Sequence, residues 1–283
     1  MTYTCDLHTH TSFSDGTLSP SDLIKLAYKK NIKAVSITDH DTITGIYEGR
    51  EEAKKLGVNF INGIELSCLT ADNIELHILG YDFDIDDNFK NGIAMAVEQR
   101  AIRNKKIIKL MNNANINIPF DFLETFPNQS IVTRAHFAKF LIENGYAKDK
   151  NDAFSKYLTR GCKTYVPKQY ISPKECIDIL HKSKGVSVLA HPTLYGLGKG
   201  EIEKLVLFLK DLGLDGIEVV HSTYSSEQEK FLRKIANKYN LLQTGGSDFH
   251  GAIKKNLELG TGYGSLHIPY SIYEDIINYK KNL

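Results

Sequence analysis

Residues 3–10 read YTCDLHTH and residues 34–41 read AVSITDHD. Each begins as a short β-prone run and ends in a cluster of His and Asp. Between them, Ser19-Pro20 supplies a helix N-cap followed by proline at the first helical position. Leu23, Ile24, Leu26 and Ala27 then form one apolar helical face. Strand, helix and strand in this order, with the polar residues gathered at strand ends, is the unit of a parallel α/β sheet.

The same rhythm continues outward. A helix is predicted over 45–56, stopped by Gly57, and Phe60–Leu66 and Ile74–Tyr81 read as two more strands. From about Asp86 to Arg160 the strand signal nearly vanishes. Helical spacing runs from Phe89 to Met111, with further helices predicted at Arg134–Glu143 and Lys150–Leu158. Arg100, Arg103, Lys105, Lys106 and Lys109 read as a solvated helix face rather than an RNA track, since no aromatics are interleaved. Alternation resumes with a helix after Ser172-Pro173 and strands at Val186–Ala190, Gly216–Val220 and Leu241–Thr244. Helices are predicted near Glu201–Leu212 and Ser226–Tyr239. The expectation is an α/β barrel domain from residues 1–85 and 161–283, interrupted by a mainly helical insertion over 86–160.

Composition narrows the function classes. The 283 residues are 42% apolar and 24% charged with a net charge of +1, ordinary for a globular enzyme and no basis for a nucleic-acid coat. Cys5, Cys68, Cys162 and Cys176 form no CxxC pair, so free thiols in a reducing cytoplasm are expected. No secretory signal opens the sequence, and no apolar run reaches the roughly 20 residues a bilayer needs.

The histidines and acids carry the chemistry. His8 and His10 follow the first strand, Asp15 sits in a Ser-Asp-Gly turn, and His40 ends the second strand. Glu65 ends the third and His77 lies on the fourth. The strand at 186–190 runs into His191, and the one at 241–244 leads through Gly245-Gly246 to Asp248 and His250. His8, His10, His40, His77, His191 and His250 are thus six of the ten histidines, all at or near strand ends, where α/β barrels build active sites. Any one of them alone is more ordinary as a capping or core residue. Gathered on one rim, imidazoles and carboxylates suit Zn, Mn or Fe, and they exceed what one tetrahedral ion requires. Two or three divalent ions are therefore expected. Ions about 3.5–4 Å apart can hold a hydroxide and stabilise both oxygens of a phosphoryl displacement. No nucleophilic Ser or Cys motif and no GxxxxGK[ST] phosphate loop is present.

Taken as an ordered set, DLHTHTSFSDG, ITDHDT, GIELS, ELHILGY, LAHP and GGSDFHG resemble the signature of the PHP (polymerase and histidinol phosphatase) superfamily, over nearly the whole chain. The resemblance implies a distorted (β/α)7 TIM-like barrel and a trinuclear centre. One ion would take His8, His10, Glu65 and Asp248. A second would share Glu65 and use His77 and His191, and a third would be held by Asp15, His40 and His250. A metal-bound hydroxide, with Glu65, His191 and Asp248 closest, would be the nucleophile.

The helical insertion resembles that of the branch containing nucleoside 3′,5′-bisphosphate phosphatases and 5′-to-3′ exoribonucleases. In that light Arg134 and His136 resemble a phosphate-binding element, with Lys168 and His221 as further candidate substrate contacts. Asp39 and Asp41 are read as orienting His40 or its turn, and His181 and His267 as structural or surface residues. The leading expectation is hydrolysis of a phosphomonoester on a small nucleotide, with the insertion as a substrate lid. A 5′-to-3′ exoribonuclease on short RNA is the nearest rival, and a histidinol phosphate phosphatase is a weaker one. A non-catalytic metal-binding module is disfavoured by the complete ligand set. No stable nucleic-acid complex and no membrane partner is expected.

Overall fold

The computed structural model describes residues 4–126, 130–167 and 171–282. Strand β1 (Thr4–Asp6) pairs in parallel with β2 (Ile32–Ile37), and β2 pairs in parallel with β3 (Asn59–Leu69). Helix α1 (Pro20–Lys29) makes the first crossover; Ser19 Oγ accepts from the Asp22 amide at 3.1 Å, and Leu23, Ile24 and Ala27 are buried. Helix α2 (Thr44–Leu56) ends at Gly57, whose φ of +68° forms the left-handed cap.

No helix separates β3 from β4 (Glu75–Tyr81). The two form an antiparallel hairpin, and β4 is also antiparallel to β5 (Val186–Leu189). Parallel order returns through β6 (Gly216–His221) and β7 (Leu242–Gly246), with α6 (Pro173–Lys182), α7 (Lys199–Asp211) and α8 (Ser226–Lys238) outside. The seven strands follow chain order across the sheet. The sheet nearly closes just past β1 and β7. The Asp248 amide donates to His8 O at 2.9 Å, and the His10 amide donates to Phe249 O at 2.8 Å. Gly246 makes that approach possible, because a Cβ there would lie 2.1 Å from His8 Cβ. A helix α9 (Ser271–Lys281), for which the sequence reading had no counterpart, packs Ile272 and Ile276 into the main core.

Between β4 and α6 lie α3 (Asp87–Asn113), α4 (Arg134–Glu143) and α5 (Lys150–Ala153), the last running into a π-helical turn at Phe154–Leu158. Helix α3 belongs to two cores. Phe89 and Ile93 pack with the barrel, whereas Ile107, Ile108 and Met111 pack with Phe137 and Leu141 of α4. The basic stretch on α3 corrects one expectation. Lys105, Lys106 and Lys109 are exposed, but Arg100 and Arg103 are buried. Arg100 pairs with Asp41 and reaches Ser67 Oγ at 3.0 Å, while Arg103 donates to Val166 O at 3.0 Å. Arg100 fixes α3 to the barrel rim and Arg103 fixes it to the segment carrying Val166, a task a helical wheel cannot display.

Candidate metal centre

The candidate ligands reach the rim from six of the seven strands. His8 and His10 follow β1, His40 follows β2, Glu65 lies on β3, and His191 follows β5. Asp248 and His250 follow β7. His77 arrives from the start of its strand rather than the end. Because β4 runs antiparallel, its first residues stand where the other strands finish, and Ser67 pairs with His77 while Glu65 pairs with Leu79. Glu65 and His77 are therefore diagonal neighbours on one face. Three rim residues without a glycine's freedom hold left-handed backbone: Asp41 (φ +54°), His191 (φ +28°) and Asp248 (φ +56°). For His191 the strain is compounded by Pro192, which disfavours helical geometry in the residue before it.

Glu65 is the hub. His77 Nδ1 and His191 Nε2 each lie 2.9 Å from its Oε1, and His40 Nδ1 and His10 Nε2 lie 3.0 and 3.3 Å from its Oε2. His8 Nε2 lies 3.5 Å from Oε1. Asp15 closes the other side, 3.3 Å from His250 Nε2 and 3.8 Å from His40 Nε2. Four groups converge with their ligand atoms within 4.8 Å of one another. They are His10/Asp15/His40/His250, His8/Glu65/His191, His8/His10/Asp248 and His40/Glu65/His77.

Burial tests whether this set fits cations. Nε2 of His8 and His10, Asp15 Oδ1, His40 Nδ1 and His191 Nδ1 are buried without a hydrogen-bond partner among the described residues. Orphaned polar atoms are costly, and several aimed at one place are what bound cations would satisfy. Two outer nitrogens are spoken for. His8 Nδ1 meets Glu218 Oε1 at 3.0 Å, and His250 Nδ1 meets Asp248 O at 2.8 Å, which turns each Nε2 inward. Burial alone would raise the carboxyl groups, yet His40 and His250 hold Asp15 well below the usual range, and His77, His40 and His8 do the same for Glu65. Burial, with His250 and His40 nearby, pushes His10 down to about 3, so it is the neutral imidazole a metal requires. Asp39 and Asp41 serve the turn. Asp39 accepts from the Thr11 amide at 2.7 Å and from Ser14 Oγ at 2.5 Å, and Asp41 accepts from the Ser67 amide at 2.8 Å.

Beside the cluster lies a cleft of about 130 Å³ lined by Asp15, His40 and His77 on the barrel and by Arg134, Lys150 and Phe154 on the helical segment. Arg134 donates to Glu75 at 2.8 Å and stands 5.9 Å from the Phe154 ring centroid. His136 does not line this cleft. Its Nδ1 accepts from the Thr133 amide at 2.9 Å, closing a capping box, while Thr133 Oγ1 donates to Asp15 at 3.1 Å. His221 is buried within the ligand cluster itself, with Nε2 3.4 Å from Asp248 Oδ2. Lys168 lies outside the described residues. Sequence reasoning missed Glu218, fully buried between His8 and the His191 amide (2.8 Å), and Lys254, which pairs with Asp248. An acid inside the apolar run GIEVV was the available signal for the first.

Residues 6–235 match the family model of the PHP domain. The chain belongs to the PHP-domain family. Over 248 residues it is 37% identical to the 5′-3′ exoribonuclease Rnm of Salmonella typhimurium, covering 87% of this chain and 84% of that one. It is 31% identical over 257 residues to the 3′,5′-nucleoside bisphosphate phosphatase of Chromobacterium violaceum, covering 90% of each. An amidohydrolase from Chromobacterium violaceum, solved with bound sulfate and no metal, superposes with a TM-score of 0.82 at 31% identity over 88% of both chains. A Bifidobacterium adolescentis protein assigned to the metal-dependent phosphoesterases gives 0.85 at 28% identity, covering 98% of this chain and 96% of that one. This PHP-domain chain is a metal-dependent phosphoric ester hydrolase built on a distorted seven-stranded barrel. No helix among the described residues is long and apolar enough to cross a membrane.

Proposed function

We propose that the protein hydrolyses the 3′-phosphoester of a nucleotide that also carries a 5′-phosphate, with nucleoside 3′,5′-bisphosphates as the leading substrate. The observation that carries this reading is the shared cleft. Arg134 lines the same small hollow as Asp15, His40 and His77, so one phosphate can meet the ligand cluster while another meets a guanidinium. Arg134 suits the second task because its planar fork takes phosphate oxygens in pairs, and the Glu75 contact pre-orients it.

On the metal side, His8, His10, Glu65 and Asp248 would hold one ion and Glu65, His77 and His191 a second. Asp15, His40 and His250 would hold a third, with His10 close by. Mn, Fe and Zn all suit this donor set. Such ions, when bound, acidify water and neutralise phosphoryl oxygens. The chain's own part is to keep His10 neutral, fix the tautomers of His8 and His250 through Glu218 and the Asp248 carbonyl, and exclude bulk water beneath the helical segment over 86–160, read here as a lid. With His136 committed through Nδ1 to the helix cap, its contribution on this reading is to hold Arg134 and the start of α4 in place. The bound sulfate in the Chromobacterium violaceum neighbour and the activity named for its phosphatase relative favour a phosphate-bearing ligand here too.

Release of inorganic phosphate from adenosine 3′,5′-bisphosphate by metal-loaded protein is the direct test, and no release would refute the reading. Arg134→Ala should lower kcat/KM on the bisphosphate by about 10- to 100-fold, the worth of a charge-assisted hydrogen bond, and change an aryl phosphate far less. Equal losses on both would remove Arg134 from the second-phosphate role. A second reading, stepwise 5′-to-3′ hydrolysis of short RNA, uses the same two phosphate positions on a diester. It is favoured by the cleft's being open along α4, and by the activity named for the Salmonella typhimurium relative.

A further inference from the structure

The ladder between β4 and β5 ends in an irregularity that two candidate ligands share. Ile78 pairs with Leu189 and Leu79 with Val188, so His77 stands opposite Ala190. The Ala190 amide donates to His77 O at 3.0 Å, which makes this a hydrogen-bonded pair, and such a pair ordinarily exchanges a bond in each direction. Here the return bond is intercepted. The His77 amide donates to the hydroxyl of Tyr195 at 3.0 Å, and that hydroxyl donates to Ala190 O at 2.7 Å. Two bonds in series stand where one of about 2.9 Å would otherwise close the ladder. The hydroxyl serves as a bridging water would, satisfying a donor and an acceptor held apart.

The chain after β5 delivers Tyr195 to this place. His191 takes left-handed backbone, a single 3-10 turn covers Pro192–Tyr195, and the Leu194 amide donates to His191 O at 2.9 Å. Gly196, at φ +71°, ends the turn. The Tyr195 ring is partly buried against the main core and meets the His191 ring edge-on, 5.6 Å between centroids. A phenylalanine could make those ring contacts. It could not bridge the ladder.

The bridge matters because each strand end carries an imidazole. His77 is itself the bridged residue, and His191 directly follows Ala190. Their rings stand 5.2 Å apart at 74° and converge on one carboxylate oxygen, with His77 Nδ1 and His191 Nε2 each 2.9 Å from Glu65 Oε1. We propose that Tyr195 is a positioning residue whose hydroxyl spaces the ends of β4 and β5 so that His77 and His191 can share one cation with Glu65. The inference rests on the reading of those three residues as ligands of one ion, and adds the residue that sets their spacing. Without the hydroxyl, leaving both backbone groups unpaired is costly, so they close on each other and draw the two imidazoles out of register.

The test titrates Zn²⁺ into metal-free, full-length wild type and Tyr195→Phe, with chelator competition to resolve the affinity of each ion. One ion should bind about 10- to 100-fold more weakly in the variant, the scale for losing a group that orients ligands, while the others bind as in wild type. Unchanged affinities, or an equal fall for every ion, overturn the proposal. Replacing Tyr195 by 4-aminophenylalanine, which keeps a hydrogen-bonding group at the ring tip, should restore the lost affinity. That protein also decides the matter if Tyr195→Phe does not fold. With every ion bound as in wild type it sustains the spacing role, and with one ion still weakened it overturns it. Should Glu65→Gln bind Zn²⁺ as tightly as wild type, the ligand reading itself fails. The spacing role is then decided by crystal structures of metal-free wild type and Tyr195→Phe. Displacement of the His77 and His191 rings relative to Glu65 sustains it, and unmoved rings overturn it.

Discussion

Glu218 reaches no surface, yet it holds the ring of His8 through Oε1 and the backbone of His191 through Oε2. Two candidate ligands from different strands are thereby oriented by one carboxylate, whose charge would also strengthen His8 as a donor. Glu218→Gln keeps the shape and removes the charge. The expected result is a folded protein whose metal affinity falls about 10- to 100-fold, read by competition with a chelator of known affinity. An unchanged affinity would mean that the His8 contact is merely structural. The candidate ligands stood out in the sequence because His or acid recurs at the end of one β-rich run after another, although any one of them alone would be ordinary. Glu218 did not, since a lone acid in a strand says nothing of its partner until β5 and β6 are placed side by side. Arg100 and Arg103 were misread for a related reason. Their spacing on α3 is compatible with a wet face, and only the presence of Asp41 across the rim and of the Val166 carbonyl shows that they are buried.

Among the elements, α3 connects the two cores, and Arg100 is its fastening to the barrel rim. The Arg100–Asp41 pair is almost wholly buried, so Coulomb attraction matters less to it than the cost of leaving either charge buried alone. Arg100→Met leaves the buried Asp41 carboxylate without its guanidinium and should lower unfolding stability by about 3–5 kcal/mol in denaturant titrations. Adding Asp41→Asn, which tolerates the left-handed backbone there and can still accept from the Ser67 amide, should recover part of that loss. If the double variant is no more stable than the single one, the interaction is not a charge pair. Element order was largely readable, because β2 is a short β-rich run and the helical patterns of α1 and α8 are strong. The direction of β4 was not. The stretch Leu69–Ile74 is too short for a crossover helix, which implies a hairpin, but only the ladder with β5 shows that His77 joins the rim by running backwards. Helix α9 was missed because no capping side chain marks its start and only Ile272 and Ile276 of its apolar face are buried.

At the scale of the whole molecule, the two ends of the barrel divide the work. The end where β6 begins, opposite the candidate cluster, carries a polar knot. Asp215 accepts from His181 of α6, from the amide and hydroxyl of Ser187 on β5, and from Tyr279 of α9, each at 2.8 Å. Barrels commonly place stability at this end and chemistry at the other. The hydrogen bond to Asp215 raises His181 above its ordinary 6.5, whereas Asp215, despite burial, is lowered below 3.8 by His181 and Ser187. A raised histidine stabilises the fold fully below its unfolded value and loses that contribution as pH climbs through the folded one. A lowered carboxyl stabilises above its unfolded value and loses the contribution as pH falls. The pair is therefore strongest between the two ordinary values. In His181→Gln the melting temperature should fall furthest below wild type at about pH 4.5–6, and the gap should narrow above about pH 8. The histidines of the candidate metal centre are present in both proteins, so their effect cancels from the difference. A gap that stays constant from about pH 5 to pH 9 would show that His181 acts through packing alone, and that charge adds nothing to this end of the barrel.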